Sequence, residues 1–140
     1  MKFAFSPLPT ITSRKVLAPI VPVTFSYKKR EFSTFALVDS GAAGAIISTV
    51  IAEDLGINWS DLPLSSGVTV SGTFRSHLVK NVEATIENSN EKTSFALDLS
   101  IVEGISPYHC ILGQKDLFQK AKIVFESYNK HFEIVFRELN

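Results

Sequence analysis

Phe35-Ala36-Leu37-Val38-Asp39-Ser40-Gly41-Ala42 runs an apolar strand straight into a carboxylate. A carboxylate at that place is costly unless it is hydrogen-bonded or paired. Gly41 permits a tight turn, which brings a backbone N–H close to the acid. Ser40 adds a hydroxyl, and Ala42 leaves space for close packing. Later in the chain, His109-Cys110-Ile111-Leu112-Gly113 is a second short apolar strand that ends in glycine. Such a segment can pass beside another turn at close backbone range. The other aspartates read differently. Asp54 and Asp61 border a short helical segment, Asp98 lies on the polar face of an alternating strand, and Asp116 is placed at a helix N-terminus, where negative charge is favoured.

Outward from these two segments the dominant period is two. Val21, Val23, Phe25 and Tyr27 alternate with polar or small residues, as do Val82, Ala84 and Ile86, then Phe95, Leu97, Leu99 and Ile101, then Phe132, Ile134 and Phe136. Each run puts its apolar side chains on one face of a strand. Turn-rich clusters separate them: Tyr27-Lys28-Lys29-Arg30, whose basic run reads as a solvated hairpin tip, Glu87-Asn88-Ser89-Asn90, and Tyr128-Asn129-Lys130. This is the pattern of an all-β sandwich or barrel. Two segments depart from it. Thr49 to Leu55 predicts two helical turns, with Ser48 as N-cap and Gly56 as the C′ residue. Asp116 to Ala121 predicts a second short helix. Pro63 and Ser65-Ser66-Gly67 predict a loop. Residues 1–15 read as an N-terminal arm, loose or at an edge, and 16–140 as one domain.

Composition narrows the function classes. The chain has 140 residues, 45% of them hydrophobic and 20% charged, with 14 basic against 14 acidic side chains. Disorder is excluded by the apolar content, and a basic nucleic-acid footprint by the zero net charge. The longest mostly apolar stretch, Phe35 to Val50, is broken by Asp39 and Ser40, and a spanning helix needs about 20 apolar residues. The apolar run of Met1-Lys2-Phe3-Ala4-Phe5 breaks at Ser6-Pro7, short of the roughly 7–15 apolar residues of a secretory h-region, so no targeting signal is expected there. Cys110 is the only cysteine, so no disulfide framework forms, which favours a reducing compartment and predicts a cytoplasmic protein. His77, His109 and His131 have no ligand spacing, so no metal site is expected. His109 and Cys110 are adjacent in a strand and point to opposite faces, which argues against a nucleophile–base pair and for Cys110 as a small buried hydrophobe.

Leu37-Val38-Asp39-Ser40-Gly41-Ala42, taken with Ile111-Leu112-Gly113, resembles the retropepsin-like (retroviral-type) aspartic protease family, in the manner of its single-domain bacterial or cellular members. Val68-Thr69-Val70-Ser71-Gly72-Thr73-Phe74 lies where that family carries its flap. Asp116-Leu117-Phe118 and Lys122-Ile123-Val124-Phe125-Glu126 resemble its helix and closing strand, so the likeness spans Leu17 to Phe136. The resemblance implies an all-β acid-protease barrel with one or two short helices, assembled as a symmetric homodimer. It implies Asp39, Ser40 and Gly41 as the catalytic turn. Ala42, Ala43, Val70, Ser71, Gly72, Thr73, Ile111 and Leu112 become the substrate-binding positions. The implied partner is an extended peptide, with no metal and no cofactor. Two facing Asp39 carboxylates would share a proton and titrate as a unit. Ser40 would hydrogen-bond across the two turns. Many retroviral members pair an Asp with an Arg near the site. The matching positions here are Ala43 and Gln114, so both charges are missing together.

Two other readings stay open on sequence grounds. One is a catalytically silent dimer of the same fold, which holds a peptide as a binding or assembly module. The other is an unrelated small β-barrel that binds an apolar ligand. The chain's 11 phenylalanines fit either sheet packing or subsites for apolar side chains.

Overall fold

Alternating apolar residues make strands whose inner faces must be buried together, and in this chain they are buried by curling one sheet on itself. The computed structural model describes residues 1–8, 16–69, 72–104 and 109–138. The elements in chain order are β1 (Lys2–Ala4), β2 (Ser6–Pro7), β3 (Leu17–Ala18), β4 (Ile20–Tyr27), β5 (Arg30–Val38), β6 (Ala45–Ser48), α1 (Thr49–Asp54), β7 (Leu64–Thr69), β8 (Gly72–Glu87), β9 (Lys92–Val102), β10 (Cys110–Leu112), β11 (Ala121–Glu126) and β12 (His131–Phe136). The main sheet runs β4-β5-β10-β6-β9-β8-β7, and a further β4–β8 pairing closes it. The all-β expectation holds.

The inward residues are those the alternation predicts. Val21, Val23, Phe25, Val82, Ala84, Ile86, Phe95, Leu97, Leu99, Ile101, Phe132 and Ile134 are all buried. The β4–β5 hairpin turns at Lys28 and Lys29, whose φ values of 46° and 70° give the left-handed pair that suits the strand twist. Both side chains are exposed. Strand β8 is 16 residues long and is broken in register between Val79 and Val82. One half pairs with β4 in the barrel, and the other pairs with β7 in a hairpin. Helix α1 forms as expected. Ser48 Oγ accepts from the Ile51 N–H at 3.4 Å, and Gly56 closes the end at φ +72°. Residues 2–4 of the N-terminal arm form an edge strand on β12, while residues 9–15 lie outside the described residues.

Two expectations need correction. Pro63 lies outside regular structure as expected, but Ser65-Ser66-Gly67 is not a loop, because Leu64–Thr69 is a strand paired with Gly72–His77. Its signal is hidden because Leu64, Ser65, Ser66 and Val68 are all exposed, leaving no apolar alternation. Gly67 is there for Phe74: a Cβ at Gly67 would lie 2.2 Å from the Phe74 ring. The second helix is not Asp116–Ala121. Gln114–Phe118 makes one wide turn, with Phe118 N–H reaching back five residues to the Gly113 carbonyl at 3.3 Å. That wide turn carries Leu117 fully into the core. Asp116 lies in the first turn of this helix, as expected, but is buried there, and Ala121 already belongs to β11.

Candidate active site

The two segments singled out by sequence meet side by side. Strands β5 and β10 are parallel, with Leu37 opposite Ile111 and Val38 opposite Leu112. Their C-terminal ends therefore emerge together, and the turns that follow are laced to each other. Asp39 N–H donates to the Leu112 carbonyl at 3.0 Å, Gln114 N–H to the Ala42 carbonyl at 2.9 Å, and Lys115 N–H to the Ala43 carbonyl at 2.9 Å. The crossing is close enough to need glycine. A Cβ at Gly113 would lie 2.5 Å from the Ala42 carbonyl oxygen and 2.8 Å from that of Gly44.

Within the turn, Gly41 N–H donates to Asp39 Oδ1 at 2.8 Å. This is the hydrogen bond that makes a carboxylate tolerable at the end of an apolar strand. Among the described residues no cation forms an ion pair with Asp39. The Gln114 side-chain amide donates to the Ser40 carbonyl at 2.7 Å, so one residue grips the turn with both its backbone and its side chain. Gln114→Ala removes the side-chain bond from an exposed position and is expected to cost about 1 kcal/mol. Thermal denaturation of the two proteins measures it, and an unchanged Tm would show that the amide does not brace the turn.

Asp39, Gly41, Ala42, Ala43, Gly44, Ile46, Ser100 and Ile111 form the floor of an open cleft of about 480 Å3, and Ser65, Ser66, Gly67, Val68, Phe74 and Ser76 of the β7–β8 hairpin form its roof. The floor thus unites Asp39 and Gly41 with Ala42, Ala43 and Ile111. Ser40 is exposed at the turn. Leu112 is fully buried below, where it holds Asp39 through its carbonyl. Gly72 and Thr73 stand exposed near the tip of the hairpin. Val70 and Ser71 lie outside the described residues. Sequence reasoning missed Gly44, Ile46, Ser65, Ser66, Gly67, Ser76 and Ser100, whereas Val68 and Phe74 fall in the segment it placed as the flap. Only the approximate position of the hairpin had a signal.

A second cleft, about 540 Å3, is lined by Ser6, Pro7, Leu8, Ile20, Phe35, Leu37, His109 and Cys110. Among the described residues its lining holds no carboxylate, but Leu37 is the ladder partner of Ile111 in the first cleft. Phe35 is 68% exposed there, a large apolar side chain left in water. Cys110 is buried, which pushes its thiol pKa up and leaves it unreactive. His109 is exposed and turned toward Ser48 Oγ at 3.3 Å. Among the described residues no three His, Cys, Asp or Glu side chains come together to hold a metal, and no helix is long and apolar enough to cross a membrane.

No protein-family model and no curated protein matches the sequence. Among solved structures, the fold is similar to that of a retropepsin-like aspartic protease from Rickettsia conorii, with a TM-score of 0.57, 13% identity, and coverage of 84% of this chain and 97% of that one. At that identity the likeness is one of fold. The chain has an all-β, retropepsin-like architecture.

Proposed function

We propose that this chain is an aspartic endopeptidase and works as a homodimer. The observation that carries the reading is Asp39 itself. Its carboxylate sits at the end of an apolar strand, is held by Gly41 N–H, and opens into a cleft roofed by a hairpin. One such carboxylate cannot serve as both acid and base. Two copies facing each other across a symmetry axis can. At hydrogen-bond distance they would not both ionise cheaply, so the pair keeps one proton. The ionised Asp39 takes a proton from water as the water attacks the scissile carbonyl. The protonated Asp39 of the partner subunit donates to the carbonyl oxygen and stabilises the tetrahedral intermediate. As the intermediate collapses the C–N bond breaks, the first Asp39 gives the proton it took from water to the leaving amine nitrogen, and a hydroxyl of the intermediate returns its proton to Asp39 of the partner subunit. An extended peptide fits between floor and roof, with main-chain hydrogen bonds to the hairpin. Leu37, Phe35 and Ile111 would receive apolar side chains.

The test is cleavage of a peptide library between pH 4 and 8, repeated on serial dilution. The proposal expects cleavage that peaks at acidic to near-neutral pH and fades as both Asp39 carboxylates ionise. Specific activity should fall on dilution as dimers part. A statine-type analogue of the tetrahedral intermediate should inhibit. Activity that persists unchanged into alkaline pH and at any dilution would point to a different chemistry.

A further inference from the structure

The hairpin that roofs the cleft is anchored at its base by a buried histidine. His77 lies on β8 between Leu64 of β7 and Ile101 of β9, and is 5% exposed. Its Nδ1 is 3.1 Å from the Leu62 carbonyl oxygen, and its Nε2 is 2.8 Å from Glu103 Oε2. The Trp59 ring packs edge-on against it, with centroids 5.2 Å apart. Both neighbours of the imidazole are acceptors. A neutral ring has one N–H and satisfies only one of them, whereas the cation has two and satisfies both. The Leu62 carbonyl first, and then Glu103, raise the His77 pKa above its ordinary value, against the opposing effects of burial and of Arg75. Among the surrounding charges, Arg75 Nε lies 3.8 Å from the same Glu103 oxygen. Glu53 accepts from Trp59 Nε1 and Asp61 accepts from Asn58 Nδ2, so these two acids are engaged elsewhere.

We propose that protonated His77 is the positioning residue of the β7–β8 hairpin. It ties the stem to the Leu62 loop and to Glu103, so that the roof is held over Asp39 while His77 is charged and loosens when it is neutral. Ser76, the preceding residue, and Phe74 both line the cleft, so a change at the stem is passed along one strand to the roof. The sign follows from the raised pKa. The stabilisation is complete below the unfolded value of 6.5 and is lost as pH rises through the higher folded value. The latch stands on this geometry alone, and only its consequence for substrate rests on the protease reading.

The test uses the full chain and two readouts: NMR titration of the His77 ring, and amide hydrogen exchange corrected for intrinsic rates. The expected His77 midpoint lies above 6.5. Through that midpoint, protection at Phe74–Ser76 and along β7 falls by about tenfold, while β4 and β5 hold theirs. Glu103→Gln keeps the shape and an acceptor but removes the charge. It should lower the midpoint and move the loss of hairpin protection to lower pH by the same interval. His77→Gln should abolish the pH step, and Glu103→Gln carries the test if His77→Gln does not fold. The idea is overturned if hairpin protection does not change with pH, or if the Glu103→Gln midpoint moves without it. It is equally overturned if the whole barrel loses protection in step, since that would be a global effect. When peptide cleavage is also followed, KM should rise through the same midpoint. Absent cleavage with the exchange step intact refutes the protease reading alone, and active cleavage with flat exchange refutes the latch alone.

Discussion

Asp39→Asn is expected to leave a folded chain that no longer cleaves peptides. The Asn side-chain oxygen keeps the acceptor that Gly41 N–H now meets at 2.8 Å, and the backbone bond from residue 39 to the Leu112 carbonyl is untouched. Stability should therefore change by no more than about 1 kcal/mol. An amide has no proton to trade at these pH values, so the loss of the acid–base pair should lower kcat/KM by at least about 1,000-fold. Cleavage of a good library substrate and a thermal melt of each protein give the two numbers. Mixing excess Asp39→Asn chain into the parent adds a second readout: if the site is shared, mixed dimers form and activity falls below what simple dilution gives. Full cleavage by the variant would remove Asp39 from the chemistry. A variant that fails to fold would make Asp39 a structural turn residue. Absent cleavage by both proteins, with a peptide still bound, would favour the silent binding module.

What was legible in the sequence follows from how local each feature is. β4, β9, β12 and the barrel half of β8 declare themselves because one face of each packs inward, and period two is the result. The pieces of the floor around Asp39 are legible for a similar reason. Asp39, Gly41, Ala42 and Ala43 lie in one run, and Ile111 lies in the other short apolar segment. β7 was not legible, because it is exposed and held by pairing with β8 rather than by burial. The fit of Gly67 against the Phe74 ring exists only once the hairpin has formed. The short helix after Gly113 is legible but its bounds are not: it is one wide turn over Gln114–Phe118, and apolar Leu117 and Phe118 after an acidic Asp116 fit a regular and a wide turn alike. The demand that Leu117 reach the core decides between them. Ser100 and Ile46 reach the cleft through the parallel β6–β9 pairing, in which they are opposite each other. No short-range pattern announces such a neighbour.

Gly113→Ala should be strongly damaging, and the reason is steric rather than conformational. The residue sits at φ −129°, ψ −160°, extended backbone that alanine adopts freely. The added carbon, however, would come within 2.5 Å of the Ala42 carbonyl oxygen, 2.8 Å of the Gly44 oxygen and 3.0 Å of the Ala42 carbonyl carbon. All three are backbone atoms, so no side chain can swing aside. The turn after Asp39 and the strand end at Gly113 must separate. That strains the Gln114 N–H bond to Ala42 and, in the proposed dimer, would shift the carboxylate relative to that of the second copy. Overpacking of this kind costs about 2 kcal/mol, or a fall in Tm of about 8 °C for a domain of this size. Displacement of the acid–base pair by even part of an ångström should lower kcat/KM by about 100-fold. Gly44→Ala is the control. There the new carbon meets Lys115 Cβ at 3.7 Å and Asp116 Oδ2 at 3.9 Å, ordinary contacts. That variant should melt within about 1 kcal/mol of the parent. If the two alanines behave alike, the close crossing of the two turns is not what holds Asp39 in place, and the brace must lie in the hydrogen bonds of Leu112 and Gln114 alone.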